Sequence, residues 1–237
     1  MTTQKLPGTD AARHGTGDAD LTIMIGAHDA LRRDLVSLAR TASVANLADP
    51  VKARSVTAGW TVFKRQLHLH HSAEDELIWP ALRARLGASE NALSVLAEME
   101  AEHQLIDPLL AAVDEAFAGQ PADDAGQPAD EDGGLQGADR LADVIDALTG
   151  TLTGHLAHEE RDGLPLIGAT LTAAEWRGVG FKIARQNGLS GGAELFSWMA
   201  DGIAPDQARK LVGQLPPPAR VLYRAVWKPR FSKTPRW

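Results

Sequence analysis

Apolar residues recur along this chain in alternating steps of three and four, and four long segments carry the resulting stripe. The first runs from Leu21 to about Leu47 as Leu21, Met24, His28, Leu31, Leu35, Leu38 and Ala42. Asp49-Pro50 ends it and opens the second, since proline is tolerated in the first turn of a helix. The second continues as Val56, Trp60, Phe63, Leu67, His70, Glu74, Leu77 and Ala81, and Pro80 is expected to kink or loosen its last turn. Gly87-Ala88-Ser89 reads as a turn with Ser89 as N-cap. The third segment is Ala92, Leu96, Met99, His103, Ile106, Leu110, Val113 and Phe117, bent at Pro108. The fourth carries Leu141, Ile145, Leu148, Leu152, His155 and Glu159, with Gly163-Leu164-Pro165 expected to terminate it. Such spacing is the seam of helices packed as a left-handed bundle. The expected fold is therefore all-α, an antiparallel up-and-down four-helix bundle over residues 18–170.

The remaining segments read differently. Residues 1–17 are a Gly-, Thr- and Asp-rich leader without apolar pattern, and residues 119–137 form a low-complexity linker, AGQPAD occurring twice, at 118–123 and 125–130. Neither can bury a core, so both are expected to be disordered or flexible. Residues 171–237 are expected to form an additional small helical C-terminal extension. Thr172-Ala-Ala-Glu175 is a capping box that opens a fifth helix to about Asn187. Shorter helices are expected near 194–200, 205–214 and 216–226. The aromatic set Trp176, Phe181, Phe196, Trp198, Tyr223, Trp227 and Phe231 reads as a small satellite core.

Composition narrows the chemistry. Of the 237 residues 44% are hydrophobic, and no cysteine is present, which excludes disulfides, zinc-thiolate sites and thiol catalysis. No apolar run reaches membrane-span length, so a cytoplasmic location without membrane contact is expected. The net charge of −7 is unevenly placed: residues 176–237 carry eleven Lys or Arg against three acids. This basic segment, with four of the six tryptophans, is expected to dock on its own acidic body or on a protein partner. Nucleic acid is the less favoured partner.

One pattern occurs twice. A lone histidine is followed much later by His-x-x-x-Glu: His28 then His70 with Glu74, and His103 then His155 with Glu159. In both copies an acid follows the glutamate (Asp75, Glu160), and a proline sits ten residues after the second histidine. All six residues fall on the seam, where an apolar side chain is expected, and burying even a neutral polar group there costs roughly 2–7 kcal/mol. Their heights agree too: at 1.5 Å per residue, His28 and His70 each lie about 30 Å from the turn between their helices, and the later hairpins match similarly. Four imidazoles and two carboxylates in one layer are a ligand set for two first-row transition metals. The i, i+4 spacing sets each His and Glu on one face, so the carboxylate can bridge.

Other polar residues compete less well. His68, His71 and His158 lie off the seam or beside it and read as solvated, or as partners of ligands. Asp75 and Glu160 fit that second role. Glu160 also rivals Glu159 as a ligand, but Glu159 repeats the spacing of Glu74. Asp107 lies one turn after His103 and off the seam, a weaker candidate. Tyr223 could reach the site only if the extension folds back over it.

These residues resemble the hemerythrin-like family, the HHE cation-binding domain. The likeness rests on His28 in AHDALR, His70 and Glu74 in HHSAEDELIWP, His103 in EAEHQLI, and His155 and Glu159 in HLAHEERDGLP. It implies a non-haem di-iron centre, two Fe ions with bridging carboxylates and an oxo or hydroxo bridge, that binds or reacts with O2, hydrogen peroxide or nitric oxide. O2-carrying members place a second histidine one turn before the position of His103; here that residue is Met99. The implied loss of an imidazole leaves one iron more open, and favours peroxide or nitric oxide chemistry in oxidative or nitrosative stress over reversible O2 carriage. A catalase- or peroxidase-like oxidoreductase fits that reading. A redox sensor signalling through the extension and a metal-storage protein are the alternatives. Ferritin-type chemistry is less favoured, because it uses Glu-x-x-His pairs and more glutamates.

Overall fold

The structure, a computed structural model, describes residues 19–118 and 131–237. The expected leader over 1–17 and residues 119–130 of the expected linker lie outside the described residues. Every element among the described residues is helical, so the chain is all-α.

The first stripe divides. Helix α1 spans Thr22–Thr41, and a short α2, Val44–Ala48, follows a break at Ala42-Ser43, where the Ser43 hydroxyl caps Asn46 N–H. Asp49 caps α3 (Pro50–Ala73), its carboxylate accepting from Val51 and Lys52 N–H at 2.8 and 3.1 Å. A π turn, Glu74–Ile78, joins α3 to α4 (Trp79–Leu86). Helix α5 (Glu90–Ala118) runs through Pro108. Helix α6 (Glu131–His158) begins inside the stretch expected as linker, and a second π turn, Glu159–Gly163, leads into α7 (Leu164–Thr170).

Gly163-Leu164-Pro165 therefore does not end the fourth helix. Pro80 and Pro165 occupy the first turn of the helix that resumes after each π turn, where a missing N–H costs little. The wide turns close on Trp79 N–H to Glu74 C=O and on Leu164 N–H to Glu159 C=O.

Helix α1 packs on α3 and α6, and α5 on α6. Trp60 Nε1 (2.7 Å) and Lys64 Nζ (2.6 Å) both donate to Asp114, joining α3 to α5. Two apolar clusters fill the interior. One contains Leu31, Leu35, Leu38, Phe63, Leu67, Ile106, Leu148 and Leu152. The other contains Leu21, Met24, Ile78, Trp79, Leu82, Leu96, Met99, Leu164 and Ile167. Each fully buried side chain of this kind contributes about 1.5–3 kcal/mol.

The extension packs along the bundle. The Thr172–Glu175 capping box is reciprocal and opens α8 (Ala173–Met199), which breaks at Gly188 (φ 62°), a left-handed conformation that glycine adopts at no steric cost. Helices α9 (Pro205–Gly213), α10 (Pro217–Leu222) and α11 (Lys228–Phe231) follow, a third π turn (Tyr223–Trp227) joining the last two. The aromatic set is not one satellite core. Trp176 packs on the second apolar cluster, Trp198 and Phe231 on the first, Tyr223 and Trp227 in a small third one, and Phe181 is exposed. Each ring follows the surface its own helix meets. Trp198 Nε1 donates to the buried Asp34 of α1 at 2.7 Å. One ion pair runs against the overall charge division, bundle Arg65 meeting Glu194, and bundle Arg85 meets Glu175 in the first turn of α8. No helix among the described residues is long and apolar enough to cross a membrane.

Candidate metal centre

Between the two apolar clusters, each long helix carries a polar interruption. On α1 it is His28, between Met24 and Leu31; on α5 it is His103, between Met99 and Ile106. The ends of α3 and α6 deliver His70 with Glu74 and His155 with Glu159, each glutamate opening its π turn. All six expected residues converge, with Glu74, Glu159 and His28 0% exposed. The structure adds a seventh, the buried His71.

His28 Nε2 lies 3.1 Å from Glu159 Oε2, and His70 Nε2 lies 3.1 Å from Glu74 Oε1. The other oxygen of Glu74 faces His103 Nε2 at 3.3 Å. These approaches lack hydrogen-bond geometry. The Nε2 atoms of His28, His70, His71, His103 and His155 and all four oxygens of Glu74 and Glu159 are buried with no hydrogen-bond partner. An unsatisfied buried polar atom costs about 1–3 kcal/mol, so such a cluster needs a common partner, and cations fit it. The donors form two groups whose ligand atoms lie within 4.8 Å of one another: His28, His70, Glu74 and Glu159, and His71, His103 and His155. Glu74 reaches both groups.

Carboxylates hold the outer nitrogens of three rings. Glu160 lies 3.0 Å from His28 Nδ1, Asp75 3.0 Å from His103 Nδ1, and Glu102 2.8 Å from His155 Nδ1. In each case a carboxylate on one helical segment orients the histidine of a neighbouring helix. Accepting from Nδ1–H fixes the tautomer that leaves Nε2 as a lone pair facing inward. Glu160 also accepts from Arg32 at 2.6 Å, and Glu102 pairs with His158 Nδ1 at 2.7 Å.

Protonation follows burial and charge. Burial opposes charge on His28, yet Glu159 and then Glu160 outweigh it and push its pKa up to about 9. Burial, with the neighbouring Glu159, raises Glu74 well above the carboxylate range. Burial acts the same way on Glu159, but the His28 charge beside it wins and holds it low. Burial first, then neighbouring histidines, hold His70 and His71 neutral far below the usual imidazole range. Cation binding must displace the protons on His28 and Glu74.

Glu160 points outward and Glu159 inward, the order expected from the repeated spacing. Asp107 and His68 are exposed, and Tyr223 packs in the third apolar cluster. Sequence reasoning missed His71 as a member of the cluster and Glu102 as a partner of His155. A usable signal was present: Asp75, Glu102 and Glu160 each sit next to an inward-facing donor.

The family model described as "Hemerythrin HHE cation binding domain" matches residues 19–167. No match was found among curated proteins or solved structures.

Proposed function

We propose that this chain, which belongs to the hemerythrin HHE cation-binding family, holds a pair of iron ions and reacts with O2, hydrogen peroxide or nitric oxide in the cytoplasm. The observation that carries the reading is the set of partnerless Nε2 and carboxylate atoms, divided into two groups with Glu74 reaching both. Mixed imidazole and carboxylate donors suit iron, and a chain without cysteine offers no thiol for an oxidant to attack. When bound, an iron pair supplies one-electron redox chemistry that no side chain here can provide.

The residues of the chain do the rest. His28, His70, His103 and His155 would offer nitrogens, Glu74 oxygens to both groups, and Glu159 oxygens to the group of His28 and His70. Glu160, Asp75 and Glu102 keep three of the rings in the binding tautomer. The apolar clusters on either side keep bulk water from the layer. Burial of all these donors favours a small co-reactant over a bulky one.

Anaerobic loading with ferrous iron, followed by stopped-flow mixing with O2, peroxide and nitric oxide in turn, tests the reading. At least one should change the absorption spectrum far faster than free iron in the same buffer. A loaded protein inert to all three removes the redox function and leaves cation binding. A sensing role has one observation in its favour: Trp198 and Arg33 tie the extension to α1, two turns from His28. Reactivity that survives truncation before Ala173 separates a catalytic bundle from a signalling extension.

A further inference from the structure

We infer that His71 is a metal ligand, the third imidazole beside His103 and His155 of one ion of the pair. The inference rests on the two-metal reading above and assigns a residue that the duplicated His-x-x-x-Glu pattern does not contain.

The geometry comes from α3 itself. Adjacent residues on an α-helix point about 100° apart, and α3 has neighbours on two sides. His70 turns toward α1, its ring 4.9 Å from that of His28 and edge-on at 85°. His71 turns toward α5 and stacks on His103, with ring centroids 3.9 Å apart and planes 12° apart. It meets His155 edge-on at 88°, with centroids 5.4 Å apart. Two consecutive histidines thus serve two different donor groups.

Packing alone does not account for His71. A stacking ring needs no nitrogen, yet its Nε2 is buried without a hydrogen-bond partner, as are the Nε2 atoms of His103 and His155. Those three nitrogens lie within 4.8 Å of one another. Ligands at about 2.0–2.1 Å from a shared ion have their nitrogens about 3–4 Å apart, within that range. A phenylalanine at 71 could keep the stack, whereas to serve the shared point the imidazole must turn out of it, because rings only 12° from parallel direct their in-plane lone pairs side by side.

The assignment also answers the question posed by Met99. That side chain is fully buried in the second apolar cluster, and no imidazole comes from its turn of α5. His71 supplies one from α3 instead. The donors then number three imidazoles on the α5–α6 side and two, His28 and His70, on the α1 side. The more open ion is the one held by His28 and His70.

The test compares wild type, His71→Phe, His71→Ala and the exposed control His68→Ala, each loaded anaerobically with ferrous iron. Iron per chain, Mössbauer spectra and release rates to a chelator are the readouts. His71→Phe should lose or weaken one ion of the pair selectively. Its release should quicken beyond the roughly 10–100-fold expected for losing an outer-sphere partner. His68→Ala should match wild type, and free imidazole should restore the second ion to His71→Ala. If His71→Phe keeps both ions with wild-type release rates and spectra, His71 is not a ligand while the two-metal reading stands. If wild type itself holds no pair, that reading fails and takes this one with it. Should phenylalanine prevent folding, the alanine variant decides: recovery with imidazole supports the assignment, and no recovery at any imidazole concentration overturns it.

Discussion

Replacing Glu102 with glutamine probes the ring of outer carboxylates without touching a donor to the metal. One oxygen of Glu102 holds His155 Nδ1 at 2.8 Å and the other holds His158 Nδ1 at 2.7 Å. A glutamine has one accepting oxygen, so one histidine must face an NH2 group that cannot accept its proton. If that histidine is His155, the tautomer with Nε2 protonated becomes competitive, and this form cannot bind a cation. Removing such an outer partner typically weakens metal binding about 10–100-fold. That corresponds to roughly 1.4–2.8 kcal/mol, the same order as one charge-assisted hydrogen bond, about 1.5–3 kcal/mol. Competition against a chromophoric chelator measures the change directly. Glu98→Gln is the control, because Glu98 is exposed, accepts from the Ser94 hydroxyl at 2.8 Å and stands 3.6 Å from His158 Nε2 without holding its Nδ1. The three outer carboxylates should rank by shielding: Glu160→Gln largest, Glu102→Gln intermediate, Asp75→Asn smallest, following side-chain exposures of 19%, 29% and 40%. An affinity for Glu102→Gln within twofold of wild type would refute the idea that these carboxylates set the tautomers.

Other consequences are as direct. His28 has its pKa raised to about 9, so in the metal-free protein its contribution to stability is full below its unfolded value and lost as pH rises through about 9. Denaturant unfolding of metal-stripped wild type and His28→Asn should therefore show a stability difference that shrinks by about 3 kcal/mol between about pH 6 and pH 10; a flat difference contradicts the His28–Glu159 pairing. Metal affinity should climb over the same interval, because the cation displaces that proton. At Gly163 an added Cβ would sit 3.0 Å from Glu159 Cγ. Gly163→Ala should weaken metal binding while leaving metal-free thermal stability level or slightly raised, as alanine is the better helix former; unchanged affinity removes the positioning role. Leu31→Ala, at a site with no exposure, should cost about 2–5 kcal/mol in urea unfolding, and a loss below about 1 kcal/mol would show a loosely packed interior.

Much of this arrangement was legible in the sequence because two independent constraints coincide. A bundle helix must place apolar residues every three or four positions, and His28, His70, Glu74, His103, His155 and Glu159 interrupt that spacing in phase with it. The same register that builds the apolar clusters aims these side chains into one layer. Where the reading fell short, the cause is geometric. A seam drawn with two positions per heptad is narrower than the apolar arc of over about 100° that a packed helix presents, so His71 counted as lying beside the seam although it faces α5. Pro80 and Pro165 read as weak points or stops because an uninterrupted α-helix was assumed; the π turns at Glu74 and Glu159 return each proline to a first turn. Such turns often mark functional sites, and here both begin at an inward-facing glutamate. The aromatic residues of the extension have no common period, so the pattern could not show that they meet three different surfaces.

The central claim is that one layer of this bundle closes around a metal pair. Mössbauer spectroscopy of protein loaded with ⁵⁷Fe, together with iron counted per chain, tests it most directly. The account predicts about two irons per chain in two inequivalent environments, spin-coupled when ferric. A chain that retains no iron, or iron that behaves as isolated, uncoupled ions, contradicts it.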